Sequence, residues 1–200
     1  HIILLIVAVV STIVVLGLLN INNPFSRPEA TIDLSRPSVI KEIQSLGNLE
    51  TASYSVEKIV EAGQEGNFVQ NLLFGDKLLL VANGKVTAGV NLTQIEDKDV
   101  SIRGKKLTVN LPAPIILSSS LDNSKTKVYD RSQGYLSQAN KDLESQARLA
   151  AEDSITQAAC DAGILVDAQR NAIDRIRQLF LFAGFEEVQV NVPAGQCSLN

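Results

Sequence analysis

The chain has no methionine, and its only histidine is its first residue, His1. A sequence without methionine lacks its initiator, so residues are expected to precede His1. With no imidazole beyond that terminus, the rest of the chain cannot build a histidine-based metal site or a Ser-His-Asp triad. Basic excess is also missing. Eighteen Lys and Arg stand against 22 Asp and Glu, a net charge of −4, which gives no electrostatic footprint for nucleic acid. No repeat of 20–50 residues marks a solenoid or propeller. The glycines of Ala62-Gly63-Gln64-Glu65-Gly66 have the wrong spacing for a phosphate cradle and read as a loop.

What is present begins with a long apolar run. Ile2 to Leu19 carries no charge, and the first fully charged residue after it is Arg27. Eighteen helical residues cover about 27 Å, close to the hydrocarbon thickness of a bilayer. A cleaved secretory signal would have a shorter apolar core and small residues after it; here Asn20-Ile21-Asn22-Asn23-Pro24 follows. Residues 2–19 are therefore expected to be a single transmembrane helix contacting lipid. The organisation read from this is an anchor at 1–20, a juxtamembrane linker at 21–49 and a water-soluble α+β domain at 50–200. Pro24, Pro28 and Pro37 mark the linker, and Val39, Ile40, Ile43 and Leu46 suggest a short helix over 38–46.

A β-rich half follows. Ala52, Tyr54 and Val56 alternate, and Lys77 to Ala82 is an apolar run expected to be covered on both faces. Asn83-Gly84 predicts a type I′ hairpin returning through Val86, Ala88, Val90 and Leu92. A second hairpin is expected at Arg103-Gly104, with Pro112 and Pro114 ending its second strand.

The helical half is read as a long helix over 133–162 with a largely alanine face, stopped at Gly163. A second helix, capped by Asp167 and ended at Gly184, buries Ala168, Ala172, Ile173, Ile176, Leu179, Phe180 and Ala183. Val188, Val190 and Val192 then alternate as a closing strand, expected to return to the sheet. The expected architecture is an antiparallel meander sheet, two consecutive helices on one face and a final strand, behind one N-terminal membrane helix.

Few side chains suggest chemistry. The densest polar stretch, Leu121 to Arg131, offers Tyr129, Asp130 and Arg131 as ligand-binding candidates, with Arg131 able to hold a carboxylate or phosphate. The structural alternative pairs Arg131 with a neighbouring acid and leaves the lysines solvated. Asn91-Leu92-Thr93 is a glycosylation sequon at a strand end. Carboxylate pairs such as Glu96/Asp97 and Glu186/Glu187 are sequence neighbours, which on extended chain point to opposite sides. No catalytic residue, metal ligand or cofactor is assigned. Cys160 and Cys197 form either a disulfide, which implies an oxidising compartment, or a buried small residue and an exposed thiol.

Ser53-Tyr54-Ser55-Val56-Glu57-Lys58, the stretch Leu79 to Val90, Leu111-Pro112-Ala113-Pro114, Leu121-Asp122 with Val128 to Arg131, and the helix pair ending Gly184-Phe185 form an ordered set. In these segments the chain resembles a bacterial membrane-anchored family known as domain of unknown function 4230. The resemblance implies the architecture and carries no activity, cofactor or site residue. Two readings stand on the sequence. One is a membrane-anchored, non-enzymatic interaction or scaffold domain, self-assembling or bound to other membrane proteins. The other is an extracytoplasmic domain that binds a small or lipidic ligand, with Asp130 and Arg131 at its mouth. An enzyme would have to work through carboxylates, Tyr, Lys or Arg.

Overall fold

A computed structural model of the chain describes residues 8–12, 33–63, 75–134 and 140–197. Residues 8–12 are α-helical, within the expected membrane span; the rest of that span, and most of the expected linker, lie outside the described residues. Among the described residues no helix is long and apolar enough to cross a membrane. The chain divides into two units, and the larger, from Leu34 onward, carries the fold described next.

That unit starts earlier than position 50. Helix α1 (Arg36–Ser45) has Pro37 in its first turn, where a missing N–H costs no intrahelical bond. Its Val39, Ile40 and Ile43 are buried, so this part of the stretch read as linker belongs to the core. Strand β1 (Asn48–Gly63) follows and pairs antiparallel with β2 (Asp76–Asn91) along almost its whole length.

The hairpin expected at Asn83-Gly84 is not there. β2 runs straight through both residues for sixteen positions. Strand phase explains why. A two-residue turn would place Leu78, Leu80 and Ala82 on one face with Lys85, Thr87 and Gly89. A continuous strand groups them instead with Gly84, Val86, Ala88 and Val90, an unbroken apolar face. All seven of those residues are buried. Leu79 and Val81 are only half-buried, so the run is covered fully on one face and not on both.

Strands β5 (Ile115–Leu121) and β6 (Lys127–Gln133) lie end to end along the other edge of β2, β5 beside Gly84–Gly89 and β6 beside Asp76–Val81. Loop 122–126 interrupts them opposite Asn83. There the Asp122 N–H donates to the Asn83 carbonyl (2.7 Å) and the Asn83 N–H to Thr126 Oγ1 (3.1 Å). The Asn83 main chain is thus satisfied in the sheet and has no need of a turn.

β3 (Val100–Arg103) and β4 (Lys106–Asn110) form the second expected hairpin, with Gly104 at φ 61° supplying the positive φ that its tight turn needs. Together with β7 (Glu187–Asn191) they make a separate three-stranded sheet of order β3-β4-β7. The closing strand pairs parallel to β4 and does not rejoin the large sheet.

Helix α2 (Leu143–Asp161) begins ten residues later than expected: Gln133 is the last residue of β6, paired to Asp76, and Lys141 and Asp142 form a turn before the helix. Ala147, Ala151, Ile155 and Ala159 press its alanine face onto β1 and β2. Helix α3 (Ile164–Phe182) starts directly after Gly163, so Asp167 sits in the first turn and is not its cap. Of its expected stripe, Ala168, Ala172, Ile176 and Phe180 are buried, while Ile173, Leu179 and Ala183 are half-buried.

Two apolar cores result. One lies between the large sheet and α2, reaching Ile164, Leu165 and Ala168 of α3. The other gathers α1, the small sheet, Phe185 and the second half of α3. The architecture is mixed α+β, with an antiparallel sheet and two consecutive C-terminal helices.

Candidate functional site

The candidates Tyr129, Asp130 and Arg131 all fall on β6, and the strand separates them. Tyr129 is the extra residue of a bulge between the pairs Leu79↔Asp130 and Leu80↔Val128, and it is 75% exposed. Asp130 pairs with Leu79 and points away from the helices, exposed. Arg131 points the other way. Its Nε and Nη2 donate to the two carboxylate oxygens of Asp76 at 3.1 and 2.7 Å, and Nη2 also donates to the Asn140 carbonyl at 2.9 Å.

Asp76 is the residue that the sequence reading passed over. Its side chain is only 6% exposed, and it accepts a third hydrogen bond from the Asn140 N–H at 2.9 Å. The Arg131 guanidinium, helped by that backbone donor, holds its carboxyl below the usual carboxylate range against the opposing effect of burial. Asp76 in turn raises the Arg131 guanidinium. The arrangement ties the start of β2, the middle of β6 and the approach to α2 together. It commits Nε and Nη2 of Arg131 to groups of the fold itself. Position was the available signal: Asp76 shares strand phase with Leu78, Leu80 and Ala82, so a charge there had to point inward.

A shallow groove of about 500 Å³ lies between α2 and the turn after β5. Leu121 and Leu149 give it apolar surface, and Asn123, Arg148 and Glu152 give it polar groups. Arg148 donates to Glu144 (2.9 Å) and to Asn123 Oδ1 (3.2 Å), which joins the helix to the turn. The turn is fixed in its own right, since Asp122 Oδ1 accepts from the Ser124 N–H at 3.0 Å. Glu152 makes no side-chain hydrogen bond among the described residues and is half-buried.

The large sheet offers a different kind of surface. Both helices pack on the face that carries Ala52, Tyr54 and Val56, and the opposite face presents Ser53, Ser55, Glu57, Ile59 and Glu61. Ile59 is 70% exposed and lies opposite Val81. Lys77 and Glu61 form an exposed ion pair beside them at 3.1 Å. Among the described residues, no strand pairs with the outer edge of β1. Among the described residues its bulged start is capped by side chains: Asn171 Nδ2 donates to the Thr51 carbonyl (2.8 Å) and Arg175 Nη1 to that of Glu50 (3.1 Å).

On the helix side, the Tyr54 hydroxyl donates to Asp167 Oδ2 at 2.6 Å, and that carboxylate pushes the phenol above its usual range. Asn91 of the sequon caps the short turn that follows β2, its Oδ1 accepting from the Thr93 N–H at 3.1 Å. Cys160, at the end of α2, and Cys197 form a disulfide with Cα atoms 6.0 Å apart. Among the described residues no group of three or more His, Cys, Asp or Glu is placed to hold a metal ion.

No curated protein and no solved structure matches the chain. Residues 41–190, three-quarters of the sequence and nearly all of the folded unit, match the family described as protein of unknown function (DUF4230), and the chain belongs to that family.

Proposed function

We propose that the protein is a membrane-anchored, non-enzymatic interaction domain that assembles with further copies of itself or with other membrane proteins. The observation that carries this reading is the large sheet, on which, among the described residues, helices pack against one face. Its other face holds Ile59 and Val81 beside the Lys77–Glu61 ion pair, and among the described residues no strand covers its β1 edge, which suits strand addition. The alanine stripe of α2 plays no part in it, because Ala147, Ala151 and Ala159 are used up inside the fold. The apolar run at 2–19 supplies the anchor. The Cys160–Cys197 disulfide supports an oxidising, extracytoplasmic side for the domain.

The test is the mass of the protein extracted from native membranes in mild detergent, read by light scattering with the detergent subtracted. A defined assembly, reduced to smaller species by Ile59→Asp, is the expected result. A strict monomer would remove the reading.

The groove beside α2 favours a second reading, a binding site for a small ligand. It combines Leu121 and Leu149 with Arg148 and Glu152, the mixture of apolar wall and few polar groups that such sites use. Asp76, Asp130 and Arg131 are not among the residues that line it. Ligand-induced thermal shifts that vanish in Glu152→Gln and Leu149→Asp variants would move the weight to this reading.

A further inference from the structure

We propose that Leu181 and Phe182, at the end of α3, rest in the boundary layer of a lipid bilayer. The inference depends on the anchored reading above. Phe182 is 88% exposed, more than any other large apolar side chain among the described residues, and Leu181 beside it is 43% exposed. They are not a frayed end. Phe180 and Phe185 are buried just beneath them and meet edge to face with ring centroids 6.0 Å apart, and the Phe185 N–H donates to the Phe180 carbonyl at 3.1 Å. The two exposed residues are therefore held in place by the core behind them.

Their position in the fold identifies the partner. Leu34, where the folded unit begins, packs against this same end of α3: a Cβ on Gly184 would lie 3.9 Å from Leu34 Cδ1. The expected anchor ends at Leu19, and the fourteen residues from Asn20 to Asp33 can span at most about 48 Å. The chain thus enters the folded unit at the end that carries Phe182, and a bilayer that holds the anchor is the apolar phase within the reach of that connection. Phe and Leu are the residues that amphipathic surfaces bury at the junction of headgroups and acyl chains. Arg36, exposed two residues after Leu34, brings a cation to the same end, suited to anionic headgroups.

The chain contains no tryptophan, so Phe182→Trp carries a single indole that reports its own surroundings. The full chain would be reconstituted into vesicles of phosphatidylcholine and phosphatidylglycerol, with and without brominated acyl chains, and recovered by flotation. Val166→Trp, at the other end of α3 and 57% exposed, is the reference. The expected result is a blue-shifted emission for Phe182→Trp that bromolipid quenches several-fold more strongly than Val166→Trp. Leu181→Trp should behave like Phe182→Trp and guards against a defect of one variant. Flotation with equal, weak quenching at all three positions overturns the inference and leaves the anchored reading standing. Flotation with blue-shifted but unquenched emission also overturns it, because the side chain is then covered by protein. Failure to float overturns both.

Discussion

Gly84 lies directly under Ile155: a Cβ at position 84 would come within 3.0 Å of Ile155 Cδ1 and 2.8 Å of the Ser120 carbonyl oxygen. At this glycine helix α2 approaches the strand at the centre of the sheet too closely to leave room for a Cβ. Gly84→Ala should cost about 1–3 kcal/mol by overpacking, read as a lower urea midpoint with an unchanged slope. Adding Ile155→Val should restore only part of the loss, because the clash with Ser120 main chain remains. An unchanged midpoint for Gly84→Ala would mean that the helix stands further off the sheet.

Asp76→Ala leaves the Arg131 guanidinium, held close to the fold, without its acid and should cost about 2 kcal/mol. The pair also has a pH signature. The folded carboxyl lies below its unfolded value, so its contribution is complete above about pH 4 and fades as pH falls through the folded value. The gap in melting temperature between wild type and Asp76→Asn should therefore be constant near neutrality and narrow below about pH 4. A gap that stayed constant down to strong acid would show that Asp76 is not ionised in the fold.

Tyr54→Phe removes the hydroxyl that Asp167 receives and should cost about 1 kcal/mol. Here the sign is opposite. The phenol is raised in the folded state, so its contribution is present below about pH 10 and is lost as pH rises through the folded value. Denaturation midpoints of wild type and Tyr54→Phe should converge only in strong alkali.

The disulfide closes a 37-residue interval that contains all of α3 and β7. In the chain-entropy account a loop of that length stabilises the fold by about 3–4 kcal/mol. A Cys160→Ser/Cys197→Ser double variant should lose that much in urea titration, and a reductant should have no further effect on it. The cross-link acts on a tail that is already seated, since Gln169 Nε2 donates to the Val192 carbonyl at 2.6 Å and Gly195 packs against Pro114.

Where sequence and structure part company, the reason is local chemistry read without its tertiary context. Asn83-Gly84 has the composition of a turn, and the glycine is there to admit a helix 71 positions away. The in-phase apolar residues on either side of it argued for one long strand, and that signal was legible. The Arg103-Gly104 hairpin was predictable because turn and pattern agree. The start of α2 was not. Gln133 suits a helix by propensity, and pairing to Asp76 makes it strand. The parallel β4–β7 pairing was equally hidden, because alternating valines show that a strand exists and not which edge receives it. At the candidate site, the polarity of residues 121–131 was plain, but Arg131 finds its acid 55 positions upstream. The exposed face around Ile59 was visible only as one apolar residue out of phase with Tyr54 and Val56.

β2 and α3 each thread both apolar cores: β2 gives Leu78 to Ala88 to one and Val90 to the other, and α3 divides between Ala168 and Ala172. Neither sheet can therefore melt and leave its neighbour intact. Heat or denaturant should take residues 34–197 apart in one sharp event with no half-folded stage, and a flaw beside Val109 should loosen amides beside Ile155 as readily as its own.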